Sequence, residues 1–318
     1  MKKFTKICLI ICGALAAVGL ILCIAGAGLG FGIRQFGNMV REGAFSFGPE
    51  DWDVDIFGNQ EKSEEDEDAW AKDAQTFQAE EVRSLELEFD FGTLVLETSD
   101  SDQIEVSAEY RNIWNNYTRS IQWKIDGSTL KIKDEMDKKI LKLFTYHNDD
   151  ATLTIRIPEG KIFDEMTMDI GAAEVRIETA LAASDMEITL GAGSMSGSSN
   201  KALLLEADEL VLDIGAGQME LSGIRATELD VDCGTGQMEL ENVTAQNVDA
   251  DCGVGQLTME MTGQQEEYNY EVDCGIGRVV VGDSSYSGLG SSKQIRNGGN
   301  KNIDLDCGVG EIKITFEK

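Results

Sequence analysis

The chain has 318 residues and a formal net charge of -31 at pH 7, from 58 acidic and 27 basic side chains. A surface this negative repels nucleic acid and anionic lipid head groups and disfavours both as partners. Abundant glycine (34 residues), 2 prolines and a single histidine favour a fold rich in glycine turns and exclude most imidazole-based hydrolysis and metal binding.

The first element is an apolar run over residues 7–33, which contains no polar side chain beyond cysteine. As a helix it would be roughly 40 Å long, enough to cross the ~30 Å hydrocarbon core of a membrane. Lys2, Lys3 and Lys6 precede the run, and an acid-rich segment follows it. The positive-inside rule then predicts a single-pass membrane protein with residues 1–6 in the cytoplasm and a C-terminal domain that is extracellular.

A cleaved signal peptide is the alternative interpretation of the same run. Ala25, Gly26 and Ala27 would provide the small-residue cleavage site. The apolar run is long for a signal peptide and continues past that site. Both interpretations export the remainder of the chain.

Residues 34–80 are predicted to be an acidic linker. Six of the eight residues from Glu61 to Asp68 are acidic, and such a run stays solvated because it cannot bury apolar surface. Four aromatic residues precede the acidic run and would either dip into the lipid interface or remain unattached: Phe45, Phe47, Trp52 and Phe57.

From residue 81 to the end of the chain, apolar and polar residues alternate with period two. Leu85, Leu87 and Phe89, for example, alternate with acidic residues. This alternation is typical of half-buried β-strands, and no amphipathic helix pattern interrupts it. We therefore predict an all-β domain over residues 81–318.

An internal repeat of the form apolar-Asp-apolar-Gly-x-Gly-x-apolar is the strongest pattern in this domain. The segment EFDFGTLVLE, which begins at Glu88, is a degenerate earlier copy. The last interval between motifs is the longest and predicts an inserted loop in the Gly/Ser-rich residues 282–300. The first glycines of the seven motifs follow at intervals of 20, 24, 19, 19, 22 and 33 residues: Gly171, Gly191, Gly215, Gly234, Gly253, Gly275 and Gly308.

In each repeat a strand enters, a Gly-x-Gly corner turns the chain, and a second strand leaves. One repeat cannot bury its apolar side, but stacked repeats bury a continuous core. The repeats predict a β-solenoid, or β-helix-like stack, with about 19–24 residues per coil and successive repeats stacked on one another.

The recurring motif, behind a single N-terminal span, resembles the DUF4097 family of bacterial β-strand-repeat proteins, which are described as proposed adhesins and include LiaG-like envelope proteins. The resemblance covers about residues 82–318. It implies a β-solenoid at the cell envelope and brings no catalytic motif with it.

Four cysteines occupy one position of the repeat, where other copies have isoleucine or leucine. They alternate in phase with apolar residues and should therefore point inward as small apolar side chains of a core ladder. A metal site would require the thiolates to converge, whereas a parallel ladder spaces them apart. The four are Cys233, Cys252, Cys274 and Cys307.

Aspartates precede the inward residue of the repeats and should face solvent in stacked columns. Neighbouring carboxylates would lie about 5 Å apart, which is unfavourable unless a cation such as Ca²⁺ binds between them. The alternative is a solvated face screened by salt. The residues of this predicted divalent-cation ladder are Asp213, Asp230, Asp232, Asp249, Asp251, Asp273 and Asp306.

The sequence favours a non-enzymatic, adhesin-like interaction module without an organic cofactor, tethered to the membrane and facing cell-wall polymer or another envelope protein. An accessory regulator or sensor of envelope stress is the alternative. A polysaccharide-acting enzyme is a third interpretation. An acid/base pair in a basic groove would be needed for uronate substrates, and the acidic columns have the wrong sign for it.

Overall fold

A computed structural model describes residues 70–111, 119–136, 151–198, 203–287 and 291–317. These residues form an all-β structure whose one helical element is a short 3-10 turn at Gln265–Glu267, which confirms the predicted fold class. The described residues contain no helix long and apolar enough to cross a membrane. The predicted span over residues 7–33 lies outside the described part of the chain.

The described residues contain eighteen strands, numbered here in chain order. They are β1 (Trp70–Gln78), β2 (Ser84–Ser99), β3 (Gln103–Arg111), β4 (Arg119–Asp126), β5 (Thr129–Met136), β6 (Ala151–Pro158), β7 (Ile162–Ile177), β8 (Leu181–Ser198), β9 (Leu205–Cys233), β10 (Gln237–Thr244), β11 (Asn247–Cys252), β12 (Gln256–Met261), β13 (Tyr268–Cys274), β14 (Arg278–Val281), β15 (Ser284–Ser287), β16 (Ser291–Ile295), β17 (Lys301–Cys307) and β18 (Glu311–Phe316).

The repeats stack as coils, and each coil contributes one segment to each of two parallel ladders. The first ladder holds the segment before the Gly-x-Gly corner, and the second ladder holds the segment after it. We define the early coils as β2, β7, β8 and residues 205–222 of β9. The late coils, in spatial order, are the end of β9 with β10, β11 with β12, β17 with β18, and β13 with β14.

Alternating side chains of both ladders enclose one core. Burial in β6 and β11 follows the period-two pattern of the sequence, with inward residues almost fully covered. Inward residues of adjacent coils stack in register, as in the column of Met219, Met238 and Leu257. All three belong to a single continuous apolar cluster that runs through both ladders, so stacking buries what one repeat would leave exposed.

Antiparallel strands cover the N-terminal end of the stack. β3 pairs with β1 on one side and with β6 on the other, and β4 pairs with β5. β5 and β6 then join β2 in parallel, one in each ladder. These strands lack the Gly-x-Gly motif, and the degenerate copy that begins at Glu88 lies in β2, the strand that both β5 and β6 join.

The last two repeats do not stack in chain order, and here the expected succession of repeats is wrong. β17 lies between β11 and β13, so that Cys307 pairs with Cys252 on one side and with Cys274 on the other. β18 lies between β12 and β14 in the same way. Residues 282–300, predicted as an inserted loop, include β15 and β16, which pair antiparallel with the coil of β13 and β14 and cover its edge.

The glycine corners allow neighbouring coils to approach closely. A Cβ atom on Gly253 would lie 2.8 Å from the carbonyl oxygen of Gly234 in the adjacent coil, and one on Gly308 would lie 2.6 Å from that of Gly253. Such distances are shorter than real Cβ contacts. The first glycine of the motif is therefore required by the stacking itself and not by the turn alone.

Corner geometry differs between early and late coils. In β8 and β9 the strand continues through the corner, and the second glycines adopt positive φ, +116° at Gly193 and +126° at Gly217. In the late coils the strand ends at the inward cysteine and restarts after the second glycine. A Cβ on Gly255 would lie 2.9 Å from Cys233 Sγ, so the thiol lies directly beneath the late corner.

Candidate functional site

Two columns of carboxylates run along the outer face of the first ladder. Asp251 pairs with Asp232 in one neighbouring coil and with Asp306 in the other, as the sequence predicts for stacked repeats. Asp249 likewise pairs with Asp230 and Asp304. We define the corner column as Asp213, Asp232, Asp251, Asp306 and Asp273, and the outer column as Asp230, Asp249, Asp304 and Glu271.

Crowding of like charges and partial burial disfavour the ionised carboxylates in these columns. Burial raises the pKa of Asp251 to about 6, with further contributions from Asp232 and Asp306. Burial, followed by repulsion from the next carboxylate, also raises the pKa of Asp230 and of Asp304. The shift is largest at Asp251, which lies between Asp232 and Asp306 in the corner column.

Neither column is neutralised by a basic residue in the described part of the chain. Salt bridges do lie on the same face of the early coils, where Lys131 contacts Glu86 at 2.6 Å and Lys133 contacts Glu88 at 2.7 Å. Within the described residues, no aspartate of the corner or outer column forms a salt bridge. The late coils therefore carry an uncompensated negative face.

A ladder of amides borders the outer column and was missed from the sequence. The Asn247 side chain donates to Glu228 at 2.7 Å, and Asn302 donates to Asn247 at 2.8 Å. Asn269 continues the ladder by donating to Asn302 at 3.4 Å. The signal was available, because the three asparagines each lie five residues before an inward cysteine.

Residues of the amide ladder and of the outer column line a shallow groove of about 580 Å³. Gln294 and Ile295 of β16, with Arg296 directly after that strand, also line the groove. A smaller concavity of about 360 Å³ lies along the corner column. Both are open surface features that suit an extended or elongated partner better than an enclosed small molecule.

The four repeat cysteines form the inward ladder that the sequence predicts. In spatial order they are Cys233, Cys252, Cys307 and Cys274, and all are buried free thiols. Burial raises the pKa of Cys307 to about 11. A hydrogen bond with Cys233, together with burial, raises the pKa of Cys252. The same hydrogen bond lowers the pKa of Cys233 to about 7. Covered thiols with raised pKa values, such as those of Cys252 and Cys307, pack as small apolar groups and are poor nucleophiles.

The structure brings the aspartates of the predicted cation ladder together in two columns. The described residues nevertheless contain no group of three or more acidic, cysteine or histidine side chains arranged to hold a metal ion. Parallel strands place each carboxylate beside its column neighbours at about 4.8 Å instead of around a common point. Cation binding by these aspartates therefore stays a prediction.

An exposed apolar ridge lies at the corners of three late coils and was also missed from the sequence. Val254, Val309 and Ile276 occupy the x position of Gly-x-Gly and are 51%, 55% and 69% exposed. Backbone hydrogen bonds place them on adjacent coils, because Val309 N–H donates to Gly253 and Ile276 N–H donates to Gly308. We name these three residues the corner ridge.

The chain is similar to one protein family and to several solved structures. The sequence model of the family described as Toastrack DUF4097 matches residues 82–294. No curated protein matches the chain. Among solved structures, the chain is similar to a proposed adhesin of Bacteroides fragilis, with 16% identity, a TM-score of 0.47, and coverage of 77% of this chain and 97% of that one.

Two further solved structures show a similar extent of coverage. A proposed cell adhesion protein of Clostridium sporogenes is 14% identical, with a TM-score of 0.34, and the alignment covers 78% of this chain and all of that one (100%). A proposed lipid binding protein of Parabacteroides distasonis is 14% identical, with a TM-score of 0.37 and coverage of 76% and 96%.

Proposed function

Because the chain belongs to the Toastrack DUF4097 family, we propose that it is a non-enzymatic, adhesin-like interaction module of the cell envelope. In this proposal residues 7–33 anchor the chain in the membrane and residues 1–6 lie in the cytoplasm. The stacked coils are then held outside the membrane, where they meet cell-wall polymer or another envelope protein.

The uncompensated acidic face of the late coils is the observation that supports a binding role. In-register pairing sets neighbouring carboxylates about 4.8 Å apart. In water, one such pair costs on the order of 1 kcal/mol before salt screening. The early coils offset part of this repulsion with lysines, as in the contact of Lys131 with Glu86, but the late coils do not.

A repeated cost to stability without local compensation is typical of a functional surface. A partner that carries positive charge would relieve the repulsion, and so would a cation that bridges the columns to an anionic polymer. The flat face and the open groove suit an extended partner. The proposal therefore assigns binding to the outer face of the first ladder.

Co-sedimentation of the purified full-length chain with insoluble bacterial wall material, and separately with a membrane-protein fraction, tests this assignment. The test variant combines Asp232→Asn, Asp251→Asn and Asp306→Asn. We expect it to retain less than about a tenth of the wild-type binding to one of the two fractions, which corresponds to more than about 1.4 kcal/mol.

The matched control removes three charges from the outer face of the second ladder, through Glu220→Gln, Glu239→Gln and Glu241→Gln. These residues belong to β9 and β10 and lie away from the acidic columns. We expect the control to bind like the wild type. Equal binding by the two variants would show that net charge, and not the acidic face, governs attachment.

A further inference from the structure

The corner ridge has no structural requirement that explains its large apolar side chains. The same corner position holds Ala192 and Ala216 in early coils and Thr235 in the first late coil. Small or polar residues therefore satisfy the backbone there. Val254, Val309 and Ile276 are nevertheless at least half exposed on three adjacent coils, and contiguous exposed apolar side chains of this kind mark interaction surfaces.

The ridge is bordered on one side by the corner column. Each apolar residue follows its aspartate by three positions, so that Asp251 precedes Val254, Asp306 precedes Val309 and Asp273 precedes Ile276. The aspartates and the ridge residues are all exposed. A partner in contact with the ridge would therefore present apolar groups along a line and positive charges beside that line.

We propose that the corner ridge and its column of aspartates bind an amphipathic, basic α-helical peptide segment of another polypeptide. Adjacent coils repeat at about 4.8 Å. A helix that lies along the ridge offers one apolar side chain per turn, about every 5.4 Å. The apolar anchors of such a helix fall at positions i, i+3, i+4 and i+7, which is a recurring mode of helix recognition. Lysine or arginine beside the apolar stripe then reaches the carboxylates.

The negative charge of this surface disfavours two other occupants, a second copy of the chain and an anionic membrane. A second copy of a chain with net charge -31 would bring two acidic columns together, and an anionic membrane surface would repel them. A basic helix neutralises the column while it covers the ridge. This inference rests on the proposed function and narrows its partner to one chemical class.

The test uses full-length chain in nanodiscs of zwitterionic lipid and a fluorescein-labelled 18-residue peptide of leucine and lysine, with leucine at helical spacing. A second peptide has the same composition in scrambled order. The ridge variant combines Val254→Thr, Ile276→Thr and Val309→Thr, which Thr235 shows to be compatible with the corner. Ile162→Thr, at a residue that is 68% exposed on β7, is the matched control.

We expect fluorescence anisotropy to show at least tenfold weaker binding by the ridge variant and no change for Ile162→Thr. The combination of Asp251→Asn, Asp306→Asn and Asp273→Asn should weaken binding and flatten its dependence on salt. The scrambled peptide should bind at least tenfold more weakly than the helical one. Because every variant is measured in the same nanodiscs, binding of peptide to lipid cancels in the comparison.

Four results would overturn the inference. Equal binding of the two peptides would indicate attraction between opposite charges alone. Unchanged binding by a ridge variant that unfolds at the wild-type temperature would exclude the ridge. A wild-type dimer in sedimentation that the ridge variant does not form would assign the ridge to a second copy. Recruitment of the wild type but not of the ridge variant to anionic vesicles would assign it to lipid.

Binding to wall material could still depend on the aspartates in each of these cases, so the proposed function can stand when this inference fails.

Discussion

The early and late coils share the Gly-x-Gly corner but place different side chains beneath it. Early coils have Ile170, Leu190 and Ile214 at the inward position, and the strand continues through the corner in β8 and β9. Late coils have cysteine there, and the strand breaks. The comparison shows that one motif supports two corner geometries, and that the size of the inward side chain distinguishes them.

Deletion of residues 301–318 should have the largest effect on this comparison, because β17 and β18 separate two late coils. It removes the inward Cys307 and four fully inward aliphatic side chains. The four aliphatic side chains contribute on the order of 6–12 kcal/mol, at about 1.5–3 kcal/mol each, and part of this is offset because the deleted residues no longer lose conformational entropy on folding. That is comparable to the whole stability of a domain. The four are Ile303, Leu305, Ile312 and Ile314.

Amide hydrogen exchange of the deleted chain distinguishes the interleaved order from a simple stack. Both β11–β12 and β13–β14 should lose protection, because each pair of strands contacts β17 and β18. Loss confined to β13–β14, with β11–β12 as protected as in the full chain, would instead indicate repeats stacked in chain order.

Exchange of the inward residues between early and late coils should have an intermediate effect. Cys252→Leu adds bulk beneath Gly310, where a Cβ would already lie 2.9 Å from the thiol sulfur, and should lower the free energy of unfolding by about 1–3 kcal/mol. Leu190→Cys should lower it by a similar amount, about 1–3 kcal/mol, through an unfilled cavity.

Urea denaturation measures both changes, and Cys252→Ala is the control for loss of the thiol alone. It removes only one small atom and should cost less than about 1.5 kcal/mol. If Cys252→Leu were as stable as the wild type, the inward side chain would not determine the corner geometry, and the contrast between the two sets of coils would need another cause.

Protonation of the aspartates should change the stability of the late coils more than that of the early coils. The pKa of Asp251 is raised to about 6 in the folded chain, above its value of about 3.9 in an unfolded chain. The folded state therefore binds more protons between these values, so stability falls as pH rises from about 4 to about 6. Asp251→Asn should remove this contribution and stabilise the protein at pH 7, by less than about 1 kcal/mol because solvent screens an exposed group.

Thermal melting at pH 5 and pH 7 measures that contribution, with Asp169→Asn in an early coil as the matched variant. Asp169 pairs with Thr189 on one side and so lacks the second carboxylate neighbour that Asp251 has. We expect the stabilisation at pH 7 to be larger for Asp251→Asn. An equal change in melting temperature for the two variants would mean that the stacked column has no electrostatic effect of its own.

The smallest expected effect concerns divalent cations, for which the acidic columns stay a predicted ladder. Millimolar Ca²⁺ should raise the melting temperature more than NaCl at matched ionic strength, because a bridging cation removes repulsion that salt only screens. Asp232→Asn with Asp251→Asn should abolish the difference. The same midpoint in both salts would leave the columns as a solvated face.

Much of the fold could be predicted because the repeat is local. Alternation of apolar residues gave the strands, and the in-phase position of Cys233 and Cys252 gave the inward ladder that the structure has. The aspartate columns followed from the same register. These inferences needed only the period of a strand and the spacing of the motifs.

Spatial order could not be predicted from the same information. The motifs at Cys274 and Cys307 are nearly identical, so either could pair with Cys252, and the sequence offers no local signal that distinguishes them. The corner ridge was missed for a different reason. Exposure of Val254 depends on the turn between two glycines, whereas the period-two pattern applies only to the strands beside it.

Interleaving of β17 between β11 and β13 has a consequence for the timing of synthesis. The coil of β13 and β14 leaves the ribosome before the segment that must lie between it and β12. If that coil docked on β11 and β12 as soon as it formed, the edge needed by β17 would already be occupied. Native assembly therefore depends on delayed docking or on strand exchange. Strand exchange would add a slow step, governed by release of the misplaced coil, between early collapse and the final fold.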